Sequence, residues 1–356
     1  GLDLVALQIK VAEGNPLGLS QDDVRMDGHA MEVRLYAEDP ANNFMPRTGQ
    51  IALWQPAVAE GVRFDAGVQS GQEISPFYDP MIAKVIAWGE DRETARHRLV
   101  EALKDCLLFG STTNRRFLID VLQRETFALG KATTAFIDEE FSEDDLAEDF
   151  GGFREAAISA VIMYNLERHV AFDASEGVTP ELLNWSSGGA LLSRYILEVG
   201  EENIDLLVSP RGDNKYNVRS GDQFVDLEVL SLADNKARVW LEDRRQQVGY
   251  LMQEPGVLHA SFEGRNLIFR NQIAFAASAA EQAGGGRVTA PMHGAVLEVF
   301  VATGDTVKRG DRLAVVEAMK MQHDILAEID GIVQDVATSV GSQVAADDLL
   351  VEIEAA

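Results

Sequence analysis

Two residues stand where their chemistry could matter. Lys320 lies in Glu317-Ala318-Met319-Lys320-Met321-Gln322, with small or apolar neighbours and no carboxylate beside it. Its place on a turn, the repeat around it and the segment ahead of it, all set out below, mark it as a candidate for more than surface solvation. The competing reading is an ordinary solvated lysine, with Met319 and Met321 as simple hydrophobic packing. Arg34 alternates with Met31, Val33 and Leu35, as on one face of a half-buried strand. Read alone, an arginine there is as readily a surface salt bridge to a glutamate as a functional group. The histidines at 29, 97, 169, 259, 293 and 323 show no paired ligand spacing, so no metal site is expected. The lone cysteine, Cys106, can form neither an intramolecular disulfide nor a multi-thiolate zinc cage, and it reads as core on the apolar face of its helix.

The elements that must position Lys320 repeat. Shifting the chain by 37 brings Gly294, Val296, Val299, Gly304, Val307, Asp311, Leu313 and Glu317 onto Gly331, Val333, Val336, Gly341, Val344, Asp348, Leu350 and Glu354. Each half reads as short strands between glycine turns, so two similar β units should pack about a pseudo-twofold axis. One unit cannot bury its apolar face alone; two can bury theirs together. Lys320 falls between the halves, on a turn.

Ahead of this, the segment 276–286 is rich in alanine and glycine and reads as a flexible tether. Its three glycines lack the Gly-Lys-Ser/Thr continuation of a phosphate loop. Residues 1–140 mix periods and read as α+β. Leu2, Val5, Ile9 and Ala12 predict a helix, and Met81 to Trp88 a strand. A helix capped by Asp91 should carry Ala95, Leu99, Leu103 and Leu107 and end at Gly110, and a second should start at Asn114 with Phe117, Leu118, Val121 and Leu122. Eight of the twelve residues from Asp138 to Asp149 are acidic, which predicts a solvated connection that cannot pack. Residues 151–275 read as one helix followed by many short strands, an antiparallel sheet or barrel with the helix packed on it. The fold class is thus multidomain α+β, with boundaries at 1–140, 151–275, 276–286 and 287–356.

Composition excludes several roles. With 31 basic and 58 acidic residues the net charge is −27, which disfavours nucleic acid and anionic membrane as partners. No apolar run approaches the ~18 residues of a membrane span, and no signal peptide opens the chain. The start at Gly1, running at once into helical spacing, reads as a fragment of something longer.

Val-Val-Glu-Ala-Met-Lys-Met ending at Met321, preceded by Ala290-Pro291-Met292-His293-Gly294, resembles the biotin carboxyl carrier domain of biotin-dependent carboxylases. The resemblance implies a flattened β-barrel biotinyl domain, covalent biotin on Lys320, and Met319 and Met321 as flanks read by biotin protein ligase. Arg34 to Pro40, Phe77 to Lys84, and Thr113-Asn114 resemble the C-terminal part of a biotin carboxylase domain of the ATP-grasp family. That match implies a catalytic role for Arg34, holding negative charge on the biotin ureido oxygen as its nitrogen is deprotonated. It also implies ATP with Mg2+ or Mn2+, and bicarbonate, bound by residues upstream of Gly1.

The middle resembles the domain that joins catalytic subunits in acyl-CoA carboxylases, and the order of domains resembles their alpha subunits. A carboxyltransferase beta subunit and an acyl-CoA substrate are implied. Leu182-Leu183-Asn184-Trp185-Ser186-Ser187-Gly188 looks closer to the 3-methylcrotonyl-CoA and geranyl-CoA branch, with Trp185 as a plain core anchor the alternative. Propionyl-CoA or acetyl-CoA remains a second substrate, and a non-catalytic biotin carrier and assembly module a second class of function. A lipoyl carrier is disfavoured by Met319 and the front block. The location expected is a bacterial cytoplasm, or the mitochondrial matrix in a eukaryote.

Overall fold

The computed structural model describes the chain except residues 1, 76–77, 174, 176–178, 180–190, 201, 276–286, 291–293, 319–320, 328, 346–347 and 356. Met319, Lys320, the tether at 276–286, and the stretch from Leu182 to Gly188 with Trp185 therefore lie outside the described residues, as do Phe77, Pro291, Met292 and His293.

In the front block, helix α1 (Leu4–Ala12) forms behind an Asp3 cap. None of its residues is buried: Leu4, Val5 and Ile9 are all more than half exposed. Strands β1 (His29–Tyr36), β2 (Val62–Ala66) and β3 (Met81–Gly89) make an antiparallel sheet with β3 in the centre. Helix α2 (Arg92–Asp105) begins where Asp91 accepts a hydrogen bond from the Thr94 amide. It covers the sheet through Ala95, Leu99 and Leu103, which pack with Met31, Val85 and Ala87.

Two sequence expectations fail here. The α2 helix ends at Asp105, and Leu107 belongs instead to strand β4 (Leu107–Phe109), paired with the short strand Leu53–Gln55. Cys106, Leu107, Leu108 and Phe109 are all buried. Four consecutive buried residues suit an extended strand covered on both sides, not a helix with one wet face. Gly110 thus follows a strand and is no helix cap. In helix α3 (Arg115–Gln123) the buried residues are Arg115, Ile119 and Leu122, so its inner face is rotated from the expected one.

The acidic segment is solvated as expected, its carboxylates exposed except for half-buried Glu140, but it does pack through Phe136 and Phe141. It contains the short helices Phe136–Glu140 and Glu143–Leu146, the second capped reciprocally by Ser142 and Asp145. Arginines absorb its charge: Arg124 binds Asp145 at 2.7 Å and stacks over Phe141, while Arg265 binds Asp149. Hydrogen bonds from Ser142 and then Arg124 hold the Asp145 carboxyl down to about 2.

In the middle block, strands β5 (Ser193–Val199), β6 (Glu202–Gly212), β7 (Lys215–Ser220), β8 (Gln223–Ala233), β9 (Lys236–Leu241), β10 (Arg244–Glu254), β11 (Val257–Phe262) and β12 (Arg265–Asn271) close an antiparallel barrel in chain order. The Asp213-Asn214, Asp234-Asn235 and Glu242-Asp243 loops all take positive φ at both residues, as two-residue hairpins of this twist require. Helix α4 (Phe153–Asp173) is enclosed by the barrel rather than laid on it. Its residues Ala156 to Asn165 are all buried and share a core with inward-facing Leu197, Leu206, Val218 and Phe269. A helix apolar on all faces has to be surrounded, and Ala156, Ala157, Ser159 and Ala160 keep it thin enough for eight strands to close.

The C-terminal block bears out the repeat strand by strand. Strands β13 (Arg287–Thr289), β14 (Gly294–Val299), β15 (Thr306–Val307), β16 (Arg312–Ala318), β17 (Met321–Leu326), β18 (Gly331–Val336), β19 (Gln343–Val344) and β20 (Leu349–Ala355) form two four-stranded sheets, ordered β17-β16-β14-β19 and β13-β20-β18-β15. The 37-residue shift converts one sheet into the other, and each half lends its short strand to its counterpart. The hydrogen bonds obey the same shift: Gly304 donates to the Val333 carbonyl and Gly341 to the Val296 carbonyl, each at 2.7 to 2.8 Å. Val296, Leu313, Val316, Val333, Leu350 and Ile353 fill the shared core.

Gly294 and Gly331 are equivalent positions where a side chain would collide with the partner strand. A Cβ at Gly294 would sit 2.5 Å from the Glu317 carbonyl oxygen, and one at Gly331 would overlap that of Glu354. Gly331→Ala and Gly294→Ala should each lower the stability of this block by about 1–3 kcal/mol in urea or thermal unfolding. Unchanged midpoints for both would refute the close approach.

Candidate functional site

Arg34 projects from the solvent-facing side of β1, while Met31 and Leu35 point into the two cores beneath. Its direct cross-strand neighbour is Lys84, and Lys84 in turn faces Asp65. Lys84 takes the nearby carboxylate of Glu32 at 3.6 Å, and Arg63 takes Asp65 at 3.0 Å. Among the described residues no carboxylate or other acceptor pairs with the Arg34 side chain, so the salt-bridge reading fails. The guanidinium keeps its donors for something else.

β1 is an edge strand, and one residue occupies its open side. The Asn114 side chain accepts from the Tyr36 amide at 3.0 Å and donates to the Arg34 carbonyl at 3.2 Å and to Glu38 Oε1 at 2.8 Å. The Asn114 amide also donates to the Tyr36 carbonyl at 3.2 Å. Asn114 is buried, so these bonds are made out of water and fix the backbone that carries Arg34. Burial pushes the Glu38 carboxyl above its ordinary value, the Asn114 bond opposes that rise, and the charge of Asp79 adds to it. Glu38 and Asp79 were quoted in sequence as parts of motifs, but no sequence signal singled them out as partners of one another.

Lys320 sits, in sequence, between two strands whose pairing is described to its end. β16 and β17 pair antiparallel through Glu317↔Gln322 and Ala318↔Met321, leaving two residues, Met319 and Lys320, to join them. Met321 begins β17. Among the described residues, no hydrogen bond or ion pair joins 287–355 to the rest of the chain.

A cleft of about 610 Å³ opens between the front block and the barrel, lined by Thr113, Arg116, Asp149, His259, Asn266 and Arg270 among others. Arg34 is not in it. No group of histidine, cysteine, aspartate or glutamate among the described residues fits a metal ion, and no helix among them is long and apolar enough to cross a membrane. Burial pushes the Cys106 thiol up to about 11, which suits packing and not nucleophilic work.

Comparison with known proteins gives these two regions names. Residues 32–139 match the biotin carboxylase C-terminal domain, and residues 286–353 match the biotin-requiring enzyme domain. The chain is 32% identical over 379 residues to the mitochondrial methylcrotonoyl-CoA carboxylase subunit alpha of Rattus norvegicus, covering 99% of this chain and 51% of that protein. It is 30% identical over 372 residues to the mitochondrial propionyl-CoA carboxylase alpha chain of Homo sapiens, covering 99% and 50%. A complete multifunctional pyruvate carboxylase from Rhizobium etli, known by crystal structure, is 31% identical over 47% of this chain and 17% of its own, with a TM-score of 0.40. The chain spans about half the length of the curated relatives it matches.

Proposed function

We propose, from the premise that this chain belongs to the biotin-dependent carboxylase alpha-subunit family, that it carries biotin on Lys320 and contributes Arg34 to the site where that biotin is loaded. The single observation behind the reading is the presence, on one chain, of a biotin carboxylase C-terminal domain and a biotin-requiring domain. Boundaries at 1–140, 151–275, 276–286 and 287–356 divide it into carboxylase part, subunit-joining barrel, tether and carrier.

The hairpin offers the Lys320 amine to biotin protein ligase, with Met319 and Met321 as the flanks the ligase reads. Biotin, once attached, supplies a ureido nitrogen able to carry a carboxyl group. Arg34 meets that group with a positive charge that no carboxylate among the described residues has already neutralised. Its planar fork, held from a clamped strand, stays aimed without costly reorganisation. The tether keeps the carrier at high effective concentration near both of its destinations.

ATP with Mg2+ or Mn2+, and bicarbonate, enter as substrates of the full-length protein. The described residues hold no metal cluster, so no step is assigned to them there. A carboxyltransferase beta subunit receives the carboxyl group and passes it to an acyl-CoA. The stretch from Leu182 to Gly188 supports 3-methylcrotonyl-CoA or geranyl-CoA as that acceptor. The human propionyl-CoA carboxylase relative, at 30% against 32%, supports propionyl-CoA or acetyl-CoA as the second reading. The location fitting this chemistry is a bacterial cytoplasm, or the mitochondrial matrix in a eukaryote.

A panel of the four acyl-CoA esters, assayed on the full-length subunit with its co-purified beta subunit, tests this. The proposal expects biotin-dependent carboxylation with 3-methylcrotonyl-CoA or geranyl-CoA highest in kcat/KM. A preference for propionyl-CoA or acetyl-CoA would replace the substrate reading. No turnover on any ester would leave the chain as a carrier and assembly module.

A further inference from the structure

We infer that Asn114 and Arg115, two consecutive residues at the start of α3, form a rigid link through which the barrel positions the strand that carries Arg34. Asn114 faces one way and holds β1, through its bonds to Tyr36, the Arg34 carbonyl and Glu38. Arg115 faces the other way and holds the barrel. Its guanidinium donates to the Gly264 carbonyl at 3.1 Å, to Ser261 Oγ at 2.8 Å and to Asn266 Oδ1 at 2.5 Å, and also to the Cys106 carbonyl. Asn266 completes the circuit by donating to the Leu108 carbonyl at 2.6 Å.

Arg115 is unusual in two respects. It is fully buried, and all four of its acceptors are neutral. Burying a charge without a counterion is costly, and placing it at the positive end of a helix adds to that cost. Such a group is held only by an environment that satisfies it completely. Three of the four acceptors belong to the barrel, on β11, β12 and the turn between them. Detaching the barrel would strand the charge, so the barrel and the start of α3 move as one body.

Adjacent Cα atoms are about 3.8 Å apart, so a displacement of Arg115 cannot spare Asn114. The hydrogen bonds of Asn114 to β1 tolerate only tenths of an ångström before they weaken. A shift of about 1 Å at a catalytic group can cost ~100-fold in rate. Asn114 and Arg115 are therefore positioning residues, and the barrel, on the proposed reading the part that meets the partner subunit, bears mechanically on Arg34.

The functional meaning rests on the proposed role of Arg34, but the link can be read without activity. The Tyr36 amide donates to the Asn114 side chain, so its hydrogen exchange reports the clamp directly. Asn266→Ala, a change on the barrel, should speed exchange at Tyr36 by about tenfold while the Val85 and Ala87 amides at the centre of the sheet stay at wild-type rates. Arg115→Met should have a larger effect of the same pattern; if it fails to fold, Asn266→Ala decides. Unchanged Tyr36 exchange in Asn266→Ala, or acceleration spread equally over β3, would overturn the link. Either result leaves the reading of Arg34 to its own kinetic test.

Discussion

Arg34→Met in the full-length subunit lowers the rate of biotin carboxylation by ~10²–10³-fold, equivalent to about 3–4 kcal/mol of lost electrostatic stabilisation. On the proposed role the loss falls on kcat, because a guanidinium acting on charge that develops during reaction serves the transition state. Stability changes by no more than about 0.5 kcal/mol, since the side chain is exposed and has no ion pair to break among the described residues. Its cross-strand neighbour is the internal control. Lys84 is also cationic and lies beside Arg34, but it is engaged with Glu32, so Lys84→Met costs the reaction only a few-fold. Steady-state kinetics with free biotin and ATP measures both. An Arg34→Met enzyme within about threefold of wild type would remove Arg34 from the catalytic machinery.

On the proposed function, Lys320→Arg is expected to abolish acyl-CoA carboxylation in a complex of alpha and beta subunits. Arginine preserves charge and length but offers the ligase no amine to acylate. Carboxylation of free biotin by the same variant is expected to persist, because the block 287–355 shares no hydrogen bond with the front block among the described residues. The split between the two assays separates loss of the carrier from loss of the enzyme. A Lys320→Arg complex that still carboxylates an acyl-CoA would place the attachment elsewhere.

The C-terminal block was the most legible part of the fold because its information is local and doubled. Glycines at 294, 331, 304 and 341 mark close approaches and turns at the same offset as the apolar residues, so one shift registers both. The exchange of β15 and β19 between halves was not legible, since two-residue strands leave no period to read. Arg34 could be placed on the outer face of β1 by simple alternation. Its clamp could not: Asn114 reaches β1 from 78 to 80 residues away, and a spacing pattern carries no record of that approach.

The enclosure of α4 was missed for a related reason. An isolated run of small and apolar residues states that a helix is buried, not that a barrel closes around it. The acidic segment was rightly read as solvated but wrongly as unable to pack. Charge density predicts repulsion only when nothing opposes it, and Arg124 and Arg265, distant in sequence, do.

The most direct test of the central claim is the intact mass of this chain after expression with an active biotin ligase, beside Lys320→Arg expressed identically. The account predicts one biotinyl increment on the wild-type chain and none on the variant. A folded wild-type chain with no increment, or a variant that gains one, would contradict it.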